Sequence, residues 1–153
     1  MFPSTTDMTA SRSEIAEMIR SRGYRATLQR ITIYEAVWRA GSHPTIADIH
    51  RYVKDSDPSI SLATIYNTIH LFQEIGLVES IAVPGDSARF DPNTHPHINL
   101  VCKGCGKVQD YECSSLSSIA EEIERETGFT VISRTLEIRG LCAECKLAGK
   151  TTE

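Results

Sequence analysis

Nowhere in its 153 residues does the chain hold an unbroken apolar run of the length, about 18 residues, that a membrane-spanning helix needs. Its opening residues, MFPSTTDMTASRS, have neither a basic start nor an apolar core. A secretory signal is therefore not expected, and the default compartment is the cytoplasm. There is no internal repeat and no low-complexity segment, and the net charge of −4 argues against a general-purpose polyanion binder. Cysteine is absent before residue 102, and histidine is absent after His97. What remains is ordinary for a globular chain: 41% apolar and 24% charged residues, enough for one domain or two small ones.

Charge is unevenly spread. Arg12, Arg20, Arg22, Arg25, Arg30 and Arg39 crowd the first part, whereas Glu121, Glu122, Glu124 and Glu126 crowd the last third. A nucleic-acid surface, if present, belongs in the N-terminal half; a solvated helix face explains the arginines equally well. Residues 1–10 lack periodicity and are expected to form an arm. Ser11 with Glu14 makes a capping box ahead of Ile15, Met18 and Ile19, with Gly23 as the stop. A second helix begins near Thr27 with Ile31, Tyr34, Val37 and Trp38 on one face, and ends at Gly41. Thr45 with Asp48 caps a third helix, carrying Ile46, Ile49 and Val53. Ser61 caps a fourth, whose buried stripe is Leu62, Ile65, Ile69 and Phe72 and whose stop is Gly76. Its other face holds Thr64, Tyr66, Asn67, Thr68 and His70, side chains that can read a groove. LVESIAV, PGDS and ARFD then read as strand, turn and strand. Short helices followed by a hairpin predict a winged helix-turn-helix, which puts the fourth helix in a DNA major groove and phosphate contacts at its flanks. A winged domain that binds protein instead fits the same pattern.

The second half predicts short strands in INLVCK and KVQDY. An amphipathic helix follows from Ser115, with Leu116, Ile119, Ala120 and Ile123, stopped by Gly128. FTVISRTLEIRG predicts a strand of about ten residues. One helix over a few strands leaves sheet edges that need covering, often by a second subunit.

Two ligand constellations stand out. Cys102-x-x-Cys105 and Cys142-x-x-Cys145 supply four thiolates in two knuckles, which suits a closed structural zinc site. Residues 106–141 lie between them and must fold back, so the metal would staple this part of the chain. A thiol–disulfide enzyme would need one such motif at a helix start in a βαβ setting, a context neither motif has. The unpaired Cys113 is read as a small hydrophobe. The second constellation is His95-x-His97 with Asp91 and Asp110. If both histidines lie on a strand they point to the same side, and His43 could add another imidazole. Nitrogen and oxygen donors without thiolate suit iron(II), manganese(II) or zinc and disfavour copper(I). Two sites of such different softness predict two metals with two jobs.

The motifs GYRATLQR (23–30), HPTIADIH (43–50), SLATIYNTIHLFQEIGLV (61–78), RFD (89–91), HPH (95–97), CKGCGKVQD (102–110) and LCAEC (141–145) together resemble the ferric uptake regulator family over essentially the whole length. The resemblance implies an α+β chain: a winged-helix DNA-binding domain (1–90), a hinge and regulatory metal loop (91–97), and a small α/β dimerisation domain with structural zinc (98–153). It implies a homodimeric repressor of double-stranded operator DNA, not an enzyme. The chain is most similar to the peroxide-responsive branch, whose regulatory iron(II) or manganese(II) site maps onto His43, Asp91, His95, His97 and Asp110. Peroxide, the only small molecule then involved, would oxidise His43 and His95 through bound iron and release the DNA. An iron-responsive repressor is the alternative. Tyr66 is the leading candidate for base contact, then Asn67, with Thr64 and His70 beside them; Arg22 and Arg30 are the expected phosphate contacts.

Overall fold

The computed structural model describes residues 10–132 and 135–151. The expected arm at 1–10 thus falls almost wholly outside the described residues. The chain divides into two compact units: residues up to Ala82 with Ser87–Thr94, and Val83–Asp86 with His95 onward.

In the first unit each helix starts where a side chain can take up the backbone N–H groups that a helix start leaves unpaired. Helix α1 (Arg12–Arg20) opens on a capping box between Ser11 and Glu14. Thr27 caps α2 (Leu28–Arg39), and Thr45 with Asp48 forms a second capping box on α3 (Ile46–Ser56). Ser61 caps α4 (Leu62–Glu74) through the N–H of Thr64. Apolar residues at helical spacing then meet in one core built from Ile15, Ile19, Ile33, Tyr34, Val37, Ile49, Val53, Ile65, Ile69 and Phe72. The rings of Tyr34 and Phe72 pack edge to face, 5.4 Å between centroids. Burying side chains of this size contributes about 1.5–3 kcal/mol each, the main force locking α2 against α4. Two strands follow, β1 (Glu79–Ile81) and β2 (Arg89–Asp91), paired antiparallel with Glu79 opposite Asp91.

Helix α4 departs from expectation at two positions. Leu62, placed in the buried stripe, is 44% exposed, and Thr68, placed on the outward face, is buried on the inner one. Leu62 sits in the first turn, a full turn before the first core residue of this helix, so it overhangs the core.

The second unit is a three-stranded sheet in the order β4-β3-β5. Strand β3 (His97–Cys102) runs antiparallel to β4 (Val108–Tyr111) and parallel to β5 (Thr135–Gly140), with α5 (Ser115–Thr127) in the crossover. Gly128, at φ +72°, ends α5 in a left-handed cap that favours glycine. The short α6 (Ala143–Leu147) completes the described fold. The long strand expected over FTVISRTLEIRG is shorter, starting only at Thr135. Upstream, the N–H of Val131 donates to the Glu124 carboxylate at 2.8 Å, which ties this stretch back to α5 rather than into a ladder; residues 133–134 lie outside the described residues. Ile119 and Ile123, expected on the packed face of α5, are 42% and 44% exposed, and every residue from Thr135 to Arg139 is exposed.

Candidate metal centres and nucleic-acid face

Parallel pairing sets Cys102, the last residue of β3, opposite Gly140, so the strand ends deliver Cys102 and Cys142 to the same place. The chain after Cys102 turns tightly, with the N–H of Gly106 donating to the Cys102 carbonyl at 2.9 Å, and this turn presents Cys105. Cys142 is the N-cap of α6 and Cys145 lies one turn in. Gly104 is required here: a Cβ would stand 3.0 Å from the Cys145 sulfur and 3.1 Å from the Leu141 side chain. The four sulfurs lie within 4.8 Å of one another. Cys105 Sγ and Cys142 Sγ are 3.8 Å apart. Zinc–sulfur bonds of about 2.3 Å in a tetrahedron put sulfurs roughly 3.8 Å apart, so these four fit a closed zinc site. The thiols differ electrostatically. The Cys142 N–H, 3.2 Å from Cys102 Sγ, lowers the Cys102 thiol to about 6, whereas burial pushes Cys145 up to about 12. A dication is what lets all four ionise together.

The imidazole and carboxylate candidates fall into two groups, one in each unit. In the first unit, His43 precedes the cap of α3 and Asp91 ends β2. A hydrogen bond from the Phe90 N–H to the Pro44 carbonyl, 2.9 Å, holds the two segments side by side. His43 Nε2 lies 3.9 Å from Asp91 Oδ2, and both side chains are buried. The Asn93 N–H donates to the other Asp91 oxygen at 2.8 Å, which orients the carboxylate.

In the second unit the strand period decides which side chains meet. His97, Asn99 and Val101 alternate as buried positions of β3, followed by the buried Cys102, and Asn99 pairs across the ladder with Asp110. A diagonal neighbour on the same face is within reach, and His97 Nε2 lies 3.7 Å from Asp110 Oδ1. His97 Nδ1 is 2.6 Å from the His95 carbonyl; only the ring can supply that proton, so the lone pair of the neutral ring is on Nε2. His95 lies just outside the strand. The strand begins at His97, so His95 precedes it in a bend and is exposed, and the two rings do not share a strand face. Sequence reasoning also passed over Asn99, which has no exposed surface and places Oδ1 3.3 Å from His97 Nε2. Its signal was present: a polar residue two positions from His97 on an apolar strand points inward with it.

On α4 the outward residues are Leu62, Ala63, Tyr66, Asn67, His70 and Glu74. Tyr66 is 54% exposed. His70 Nε2 lies 3.4 Å from the Glu74 carboxylate. The Thr64 hydroxyl is 2.8 Å from that of Ser61, so it serves the helix start. Leu62 and Ala63 add apolar surface to this face, which the expected stripe concealed. Arg22 ties two helix ends together. Its Nε donates to the Ile75 carbonyl and its Nη1 to the Met18 carbonyl, each at 2.9 Å, joining the ends of α4 and α1. Arg30 Nη1 donates to the Arg25 carbonyl at 2.7 Å.

A helix-turn-helix with a hairpin wing, followed by a sheet stapled by four thiolates, defines a zinc-containing winged-helix protein. The chain belongs to the ferric uptake regulator family, whose model matches residues 21–139. Peroxide-responsive repressors PerR are among its relatives. That of Staphylococcus epidermidis is 37% identical over 131 residues, 86% of this chain and 87% of that one. That of Staphylococcus aureus strain NCTC 8325 is 37% identical over 128 residues, 84% of this chain and 86% of that one. Similar solved structures include the ferric uptake regulator of Pseudomonas aeruginosa with manganese, at 25% identity and a TM-score of 0.72, covering 83% of this chain and 96% of that one. The Campylobacter jejuni peroxide stress regulator has 29% identity and a TM-score of 0.64, with the same coverage of 83% and 96%. Membership makes the chain a metal-dependent transcriptional repressor.

Proposed function

We propose that the chain works in the cytoplasm as a homodimer that represses transcription from double-stranded operator DNA and lets go when hydrogen peroxide reaches a bound iron(II) ion. In this reading residues 1–90 bind DNA, 91–97 act as hinge and regulatory loop, and 98–153 dimerise around the zinc site. The observation that carries it is the thiolate-free donor set: His97 beside Asp110 in one unit and His43 beside Asp91 in the other. Such donors hold iron(II) or manganese(II), and iron(II) supplies one-electron chemistry with peroxide that manganese(II) does not. The residues' own part is to bind, orient and respond. The Asn93 N–H and the His95 carbonyl aim Asp91 and His97, and burial keeps these groups from water. An imidazole that gains an oxygen is a poorer donor, so the ion is held less well and the DNA-bound form loses its support. The 37% identity to peroxide-responsive repressors supports this signal over iron availability.

Dimerisation is supported by the edge strand β5, with Leu136 and Ile138 exposed, and by the exposed Ile119, Ile123 and Phe129. No helix among the described residues is long and apolar enough to cross a membrane. Outward-facing Tyr66 and Asn67 read bases, with Thr64 and His70 at their flanks and Arg30, more than Arg22, meeting phosphate.

The test uses DNA selected from a random pool by the manganese-loaded protein. Binding should require manganese(II) or iron(II), and peroxide should abolish it only in the iron form. An iron form that kept full affinity after peroxide would make the chain iron-responsive instead.

A further inference from the structure

We propose that Lys54 is a positioning residue for DNA recognition: its ammonium clamps the turn between α3 and α4 and so sets the angle at which α4 meets the groove. This role rests on the reading that α4 is the helix that reads operator DNA, and it identifies what holds that helix at its start.

Lys54 lies in the last turn of α3, where a cation ordinarily offsets the negative end of the helix. This one reaches past the helix end. Its Nζ donates to the Pro58 carbonyl at 2.8 Å and to the Ile60 carbonyl at 2.9 Å. Both carbonyls belong to the connection between the C-cap of α3 at Asp57 and the N-cap of α4 at Ser61, outside either helix ladder. An ammonium carries three donors on a flexible stem, so one lysine can hold both at once.

The rest of the turn is fastened as well. The Asp57 N–H donates to the Val53 carbonyl at 2.7 Å, and the Ser59 N–H and hydroxyl donate to Asp57 Oδ1 at 3.0 and 2.6 Å. Ile60 has no exposed surface and joins the core. With its side chain anchored inward and its carbonyl held by Lys54, Ile60 fixes the backbone one residue before the cap of α4. Tyr66 and Asn67 face outward one turn into that helix, so a change in its entry angle moves both.

Helix α4 is thereby held by a cation at each end. Arg22 takes the Ile75 carbonyl at its C-cap, and Lys54 takes the turn before its N-cap. A cation used this way supports the match between helix and bases, on which discrimination depends, whereas a phosphate contact adds affinity on every sequence alike.

The experiment uses the full manganese-loaded chain with zinc bound, a duplex selected by the wild type, and a scrambled duplex. Lys54→Met keeps the stem and removes the donors. It should weaken binding to the selected duplex about tenfold, leave scrambled DNA nearly unchanged, and leave the slope of log affinity against log salt where it was. In DNA-free protein labelled with carbon-13 at its carbonyls, the Pro58 and Ile60 signals should move upfield as the two hydrogen bonds are lost. Lys54→Arg, which keeps charge and donors, should restore both the signals and the discrimination. Unmoved carbonyl signals or undiminished binding in Lys54→Met overturns this role, as does a slope lowered by about 0.9 per protomer with equal losses on both duplexes. An arginine variant with full discrimination whose carbonyl signals stay at the methionine positions also overturns it, because charge alone would then suffice. Carbonyl signals that respond as expected in a chain that binds no DNA with any metal leave the clamp standing and overturn the assignment of α4 as the reading helix, so the two failures are told apart.

Discussion

Replacing Arg22 and Arg30 separately with alanine distinguishes an arginine that holds the reading helix from one that holds DNA. Arg22 donates two hydrogen bonds of 2.9 Å, to the C-cap carbonyl of α4 at Ile75 and to Met18 in the last turns of α1. Charge-assisted bonds of this kind can contribute 1.5–3 kcal/mol when desolvated, but Arg22 is exposed, so about 1 kcal/mol for the pair is the reasonable expectation. At about 1.4 kcal/mol per tenfold change, misplacing α4 by that much should weaken operator binding about fivefold. Ion release should not change, because no phosphate contact is lost. Arg30 engages one guanidinium nitrogen with the Arg25 carbonyl and is proposed to turn the rest of its fork to phosphate. Its loss should lower the slope of log affinity against log salt by about 0.9 per protomer, with equal losses on operator and unrelated DNA. Fluorescence anisotropy across a salt series, with operator and scrambled duplexes, reads both quantities. An Arg22→Ala protein whose slope falls as far as that of Arg30→Ala would refute the clamp and restore Arg22 as a phosphate contact.

Three further outcomes follow from the same geometry. Cys145→Ser, or chelation of zinc, should abolish cooperative unfolding of the second unit, because four thiolates and one ion close a segment whose own core is small; calorimetry with zinc analysis checks this. Asp48→Asn should cost about 1 kcal/mol at neutral pH and progressively less as acid protonates the carboxyl, read from urea melts across a pH series. The Thr45 hydroxyl and N–H, at 2.7 and 3.0 Å, hold the Asp48 carboxyl below its ordinary range, so the stability it lends is present at neutral pH and is lost as pH falls through that lowered value. Peptide mapping of the iron-loaded protein after peroxide should find added oxygen on His43 or His95; loss of DNA binding with both histidines unmodified would contradict the peroxide reading.

Legibility followed the range of the interaction. Ser11, Thr27, Thr45 and Ser61 marked four helix starts because capping acts within three residues. The four-cysteine centre was legible across a long gap because its donors and spacing admit few alternatives. What escaped depends on where an element sits against others. Leu62 has helical spacing but overhangs the core. The segment before β5 has strand composition, yet the Val131 N–H finds the Glu124 carboxylate instead. His95-x-His97 looked like a ligand pair on a strand, and only the observed start of β3 separates the two rings. Asn99 was overlooked because an amide draws less notice than an imidazole, although its position in the alternation already turned it inward.

The two metal centres of the second unit are not independent, since both are built on β3. His97 and Asn99 stand at the beginning of this strand and Cys102 at its end. Zinc joins Cys102 to Cys142, just past Gly140, and Gly140 is the residue paired with Cys102; the Lys103 N–H also donates to the Gly140 carbonyl at 2.8 Å. Bound there, the ion would pin the register of β3 against β5 at one end, and the Cys102 N–H bond to the Lys107 carbonyl, 2.8 Å, pins the turn into β4. A slip of one residue would turn His97 and Asn99 away from Asp110, because side chains alternate with a period of two. Dependence runs in one direction. Without zinc the harder site loses its alignment, but removing the Asp110 carboxylate leaves the four sulfurs where they are. A closed, redox-inert ion at one end of the strand would hold in register the residues proposed to bind an exchangeable ion at the other.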